Sequence, residues 1–244
     1  MSRNFELLTQ IELESRGADN LTRTLENLPI VKAIPHGAID EASGGEMLRL
    51  VQNVFLTNQE EAPRQVVFCS IDGEDGSSSV CASAGRVLAA NGSQSVCLVD
   101  ANLRSPRLSR MLGIHKSTPF SVTQPSQRGQ CSEIEKNLWL AGSRMLSGNN
   151  GALLPANELK NRLAELRGLF EYVLIAAPGV NVSGDAQLLG QVADAAILVV
   201  EANKTRRLAA RKAKETLDSA GVRLIGSVLH NREFPIPEQL FRRL

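Results

Sequence analysis

The sequence predicts an α/β protein with a doubly wound, mostly parallel sheet flanked by helices and preceded by an N-terminal helical arm. Two observations carry this reading. Short runs rich in Val, Ile, Leu and Ala recur at 66–70, 95–100, 138–141, 172–176, 195–201 and 223–229, and helical stretches near 77–90, 158–169, 185–192 and 205–220 lie between them. Strands that are apolar throughout are buried on both faces, as in parallel sheets whose crossovers are helices. A third observation concerns function: in such sheets ligands bind at the carboxyl ends of the strands, and three polar or proline-bearing segments (70–79, 100–106 and 178–179) fall at those ends.

Taken in order, residues 1–63 read as the arm and its linker. Phe5, Leu8 and Ile11 have helical spacing, a second weak helical piece covers Leu21 to Leu28, and Ser43-Gly44-Gly45 precedes a helix through Glu46 to Leu56. Residues 64–244 form the α/β domain. Within it, 117–136 is rich in Ser, Gln and Pro and reads as a loop over the sheet edge. At the far end, Phe234, Ile236, Leu240, Phe241 and Leu244 could dock a short terminal helix on the body or on a neighbouring protein.

The 244 residues, 43% hydrophobic and 22% charged, have the composition of an ordinary globular protein. Twenty-seven basic against 26 acidic side chains leave a net charge of +1, so no global field points to nucleic acid, and none is expected as a partner. Cys69, Cys81, Cys97 and Cys131 lack C-x-x-C spacing; reduced core thiols are the simpler account, with a metal or iron–sulfur site as the other. No apolar run reaches the roughly 18 residues of a membrane span, and the polar start is not a signal peptide, so a cytoplasmic location is expected.

The segment with chemistry in it is Ser70-Ile71-Asp72-Gly73-Glu74-Asp75-Gly76-Ser77-Ser78-Ser79, between a strand and an Ala-rich helix. That is the setting of a G-x-x-x-x-G-K-[ST] phosphate loop, in which backbone N–H groups cradle phosphate, the lysine reaches the outer phosphates and the hydroxyl holds Mg²⁺. Gly73, Gly76, Ser77, Ser78 and Ser79 are thus the candidate nucleotide-binding residues, with Ser78 on the metal. Ser77 stands in the lysine's place, and no lysine occurs between Lys32 and Lys116. Asp100 closes an apolar strand and is followed by Arg104; an acid there can position Mg²⁺ and its water, and the arginine a phosphate.

These segments, with Tyr172 to Val180, resemble the bacterial tyrosine autokinases of capsule and exopolysaccharide biosynthesis, P-loop NTPase-like proteins that accompany polysaccharide co-polymerases. The resemblance runs over roughly residues 46–232 and takes in Gly184-Asp185-Ala186, Lys204-Thr205 and Gly226 to Leu229. It implies ATP and Mg²⁺ as ligands, a membrane polysaccharide co-polymerase or export component as partner, and a place at the inner face of the membrane through that partner. The departures weigh more. The family shows S-x-x-P-G-E-G-K-S-T, D-A-D-L-R-x-P and I-D-[ST]-P-P; here Ser77 replaces the lysine, Asn102 the second aspartate and Ala176 the metal-organising aspartate, leaving Asp100 as the residual catalytic acid. The carboxyl-terminal tyrosine cluster is missing as well, and the single tyrosine, Tyr172, opens an apolar strand as a core or rim residue.

Phosphoryl transfer depends on positioning and electrostatic stabilisation, so these losses predict weak or absent nucleotide binding and a regulatory or scaffolding role. The alternatives are an active kinase in which Arg64, Arg86, Arg104 or Arg107 replaces the lysine, and a partitioning ATPase. Glu46 and Arg49 resemble the family's ring-forming E-x-x-R helix and are the candidate oligomer contact, or else only a solvated helical pair. Lys204, Arg206, Arg207, Arg211, Lys212 and Lys214 make one helix basic, either as a solvated face or as a patch for an anionic surface or acidic partner. The three histidines show no metal spacing, and Trp139 reads as core.

Overall fold

A computed structural model describes residues 30–34, 41–57, 62–73, 75–91, 94–113, 131–148 and 150–231. The expected helical pieces before residue 29 and the apolar tail from Phe234 to Leu244 lie outside these residues. The elements are β1 (Ile30–Ile34), α1 (Glu41–Val54), β2 (Gln65–Ser70), α2 (Asp75–Ala90), β3 (Val96–Asp100), α3 (Arg107–Met111), β4 (Ser132–Glu135), β5 (Leu138–Ala141), α4 (Ala156–Leu169), β6 (Tyr172–Ala177), α5 (Asp185–Val192), β7 (Ala195–Glu201), α6 (Arg207–Ser219) and β8 (Leu224–His230).

The eight strands form one sheet in the order β1-β8-β7-β2-β6-β3-β5-β4. Every neighbouring pair is parallel except β4 with β5. The doubly wound architecture follows from alternation along fully buried strands. Val66, Phe68, Leu98, Leu174 and Ala176 face a cluster with α1 and α2. Their neighbours Val67, Cys69, Val99, Ile175 and Ala177 face the opposite cluster with α4, α5 and α6.

α2 lies unusually close to the sheet. A Cβ on Gly85 would stand 2.5 Å from Leu98 Cδ2, so glycine at this point lets the helix carrying the phosphate loop settle onto β3.

Three expectations change. The stretch up to residue 63 is not simply an arm: Met47, Leu50, Val51 and Phe55 recur at helical spacing and are buried in the same cluster as β2 and α2. β1 pairs with β8 and extends the sheet. The expected 117–136 loop contains β4, an antiparallel edge strand in which half-buried and exposed residues alternate.

Tyr172 and three of the four cysteines lie in the core, while Cys131 is half-buried. The tyrosine ring is 7% exposed and edge-on to Phe55 at 5.4 Å, and its hydroxyl donates to Phe55 O (3.2 Å). Cys69, Cys81 and Cys97 are buried free thiols, and burial pushes Cys69 up to about 12. Trp139 is half-buried against Phe170 rather than enclosed.

Candidate nucleotide-loop site

β2, β6 and β3 are adjacent, so the segments after them converge on one edge. The 71–76 loop leaves β2 and turns into α2, closed by a hydrogen bond from the Ser70 hydroxyl to Gly73 O. The segment after β6 braces it: Val180 N–H donates to Ser70 O (2.9 Å) and Asn181 N–H to Ile71 O (3.0 Å). The Asn181 side-chain amide donates to Asp72 Oδ1 (2.8 Å). Gly179 is required where these backbones meet, because a Cβ there would lie 3.0 Å from Ile71 O.

Gly76 faces the other wall, where a Cβ would meet Val199 at 3.2 Å and His230 at 3.3 Å. Gly76 is therefore tightly enclosed where the loop enters α2. The residue at the lysine position does something else. Ser77 is fully buried, and its hydroxyl donates to Ala177 O at 2.9 Å, tying the first turn of α2 to the end of β6. Ser78 is buried beside it, Ser79 is half-buried and Gly73 is exposed.

Asp100 is fully buried at the end of β3. Its Oδ2 accepts from Ser109 N–H (2.9 Å) and Ser109 Oγ (3.0 Å), while Oδ1 is enclosed without a hydrogen-bond partner. Burial pushes its carboxyl above the ordinary range, against the lowering effect of the Ser109 donors, the Asn102 backbone and Arg110. Its charge in turn adds to the burial that raises Cys81, one helical turn beyond Ser78 on α2.

A phosphate chain with Mg²⁺ meets a mixed fit here. The loop backbone, the Ser78 hydroxyl and the orphaned Asp100 Oδ1 are the groups that would hold it, and the metal would supply charge neutralisation and a template for the phosphate oxygens. The remaining positions offer it nothing. Ala176 is a sheet residue paired with Asp100 and Phe68. Asn102 Oδ1 accepts from Ser105 N–H (3.0 Å) and so shapes its own turn.

Arg104 is exposed on that turn, and among the described residues no hydrogen bond or ion pair joins it to the loop. Glu46 and Arg49 lie in the middle of α1. Glu46 is half-buried with Oε2 enclosed and without a hydrogen bond, Arg49 is exposed, and among the described residues no ion pair links them.

Four further residues that the motif reading did not single out either touch the loop or hold a residue of the site. Asn181, on the loop, and Ser109, on Asp100, are named above. The carboxylate of Glu201 at the end of β7 comes within 4.0 Å of a Cβ placed on Gly73. It accepts from Lys204 Nζ (2.6 Å) and Asn231 Nδ2 (3.1 Å). Burial would raise this carboxyl, but those donors prevail and hold it below the ordinary range. The signal for Glu201 and Asn231 was their position at strand ends, the rule already applied to Asp100 and Pro178.

The fold, a mostly parallel sheet flanked by helices, is shared with solved structures of ATPases and of a chimerical protein. The chain superposes on a ParA family ATPase from Chlorobium tepidum with a TM-score of 0.55, over 70% of this chain and 75% of that one, at 16% identity. It superposes more fully on the chimerical protein CapA2B2, with a TM-score of 0.71 over 88% of this chain and 99% of that one, at 20% identity.

The curated homologues are bacterial tyrosine-protein kinases. YwqD of Bacillus subtilis is 28% identical over 187 residues, 74% of this chain and 78% of that protein. CpsD of Streptococcus pneumoniae serotype 4 is 31% identical over 147 residues, 57% of this chain and 63% of the kinase, so under two thirds of CpsD is spanned. No protein-family model matches the chain. Among the described residues no helix is long and apolar enough to cross a membrane.

Proposed function

We propose that this protein is a degenerate relative of the capsule and exopolysaccharide tyrosine kinases. On this reading it binds ATP·Mg²⁺ weakly or not at all and acts as a regulatory or scaffolding partner of a membrane polysaccharide co-polymerase or export component, at the inner face of the membrane. The observation that carries the reading is Ser77. The side chain in the lysine position is short, buried and committed to Ala177 O, so no cation from the loop meets the phosphates. Asn102 and Ala176 leave Asp100 as the one acid of the three, and the single tyrosine is buried.

The test is calorimetric titration with ATP·Mg²⁺, together with incubation in labelled ATP alone and with a tyrosine-bearing partner. Low-micromolar binding, or phosphotyrosine that vanishes in Asp100→Ala, overturns the reading in favour of an active kinase. Two of the arginines considered as lysine substitutes are badly placed for that alternative. Arg64 precedes β2, at the opposite edge of the sheet, where it pairs with Glu171 (3.5 Å). Arg86 lies in the second half of α2 on Glu135 (2.9 Å). Arg104 and Arg107 stay on the correct edge. A partitioning ATPase is the weaker alternative, since the curated homologues are kinases. Self-association through Glu46 and Arg49 is a further part of the scaffold reading, tested by sedimentation of Arg49→Glu.

A further inference from the structure

α6 buries Ala210, Ala213 and Leu217 against the sheet, which accounts for its apolar stripe. Leu208 is left over: it is 78% exposed, the most exposed large hydrophobic side chain among the described residues. Val182, after β6, is 46% exposed. The two flank a single contact, because Asn181 Nδ2 donates to Ala209 O at 3.4 Å.

Around this apolar pair the charge is positive. Arg206, Arg207 and Lys212 are exposed and form no ion pair among the described residues, while Arg211 and Lys214 are tied to Glu215 (2.8 Å) and Asp218 (2.6 Å). The cations gather at the amino end of the helix and the acids at its carboxyl end, opposite to what the helix macrodipole favours. Folding therefore gives no reason for the arrangement. Arginine is among the residue types enriched at protein-binding hot spots. A bilayer surface asks instead for a broad apolar face, and that face of α6 is already against the core.

From this geometry we infer that Leu208 and Val182, with Arg206, Arg207 and Lys212, form a docking surface for an acidic polypeptide segment bearing an apolar anchor, and that the surface is linked to the phosphate loop. Charge complementarity selects the segment. The link is Asn181, whose amide donates both to Ala209 O on α6 and to Asp72 Oδ1 in the loop. A segment seated on Leu208 and Val182 presses on both elements that Asn181 joins and so shifts the loop's hydrogen bonding. The inference rests on the scaffold reading only for the origin of the partner; ATP binding at micromolar levels would overturn that reading and leave this one standing.

The test is selection of randomised twelve-residue displayed peptides on the intact chain, followed by affinity measurement for one enriched peptide. Enriched peptides are expected to place Asp or Glu around an aromatic or aliphatic residue and to bind more weakly at high salt. Arg206→Glu with Arg207→Glu, and separately Leu208→Ser, are expected to lower affinity at least tenfold without lowering the melting temperature, since all three side chains are exposed and the helix macrodipole favours acids at its amino end. Peptide binding is further expected to alter amide exchange at 71–77, an effect lost in Asn181→Ala while affinity is kept. Enrichment without acidic residues, equal binding by the variants, or unaltered exchange overturns the proposal. So does binding to phosphatidylglycerol vesicles, or self-association seen by sedimentation, that the same variants abolish while no acidic peptide is enriched.

Discussion

Restoring the missing charge is the sharpest test of the loop. In Ser77→Lys the new side chain leaves the backbone along the direction of the Ser77 hydroxyl, past Ala177 O at the end of β6. An ammonium about 4 Å from a phosphate oxygen gains about 4 kcal/mol at an effective dielectric of about 20. Against this stand about 1 kcal/mol for the lost hydrogen bond and about 1–2 kcal/mol for fixing a long, flexible side chain. A net gain of about 1–2 kcal/mol corresponds to roughly five- to thirtyfold tighter ATP·Mg²⁺. Titration calorimetry on the two proteins reads this directly. The ligand-free variant is expected to melt lower, because Ala177 O loses its donor in a buried setting. A folded Ser77→Lys protein, by circular dichroism, with unchanged ATP affinity refutes the argument: the backbone would then not be a phosphate cradle.

Other predictions concern the groups around the loop and the core. The carboxyl of Asp100 lies above its ordinary range when folded, so the folded state holds more protons than the unfolded chain between the two values and loses stability as pH rises through that window. Asp100→Asn should therefore be more stable than the unmodified protein at neutral pH and converge with it in acid; urea unfolding at several pH values checks this, and equal stabilities throughout would contradict it. Phe55→Ala should cost about 3–5 kcal/mol, because the ring is buried on Tyr172 and its loss leaves a cavity; a drop below about 1 kcal/mol in chemical denaturation would mean that α1 is only loosely attached. Labelled ATP should leave Tyr172 unmodified in the folded chain, since its hydroxyl is engaged by Phe55 O; phosphopeptide mass spectrometry decides.

The sheet was legible because six of its strands are continuous apolar runs, and a side chain buried on both faces leaves that mark in the local sequence. The candidate loop was visible for a similar reason, as its glycines and serines lie within ten consecutive residues. The altered residues, Ser77, Asn102 and Ala176, could be named from the sequence but not their new occupations. Whether Ser77 reached into the loop or turned to Ala177 O depended on a residue 100 positions away.

β4 was hidden because an edge strand reading Ser-Glu-Ile-Glu has one apolar side chain and sits beside a Ser- and Pro-rich stretch. α1 was taken for part of an arm because its apolar spacing, though visible, carries no address for the surface it covers. Local pattern fixes the secondary structure and the identity of a loop, since both depend on neighbours in the chain. The brace of Asn181 on Asp72, the orphaned oxygen of Asp100 and the Glu201–Asn231 contact beside Gly73 arise from strand order and helix docking, which bring distant residues within hydrogen-bond reach.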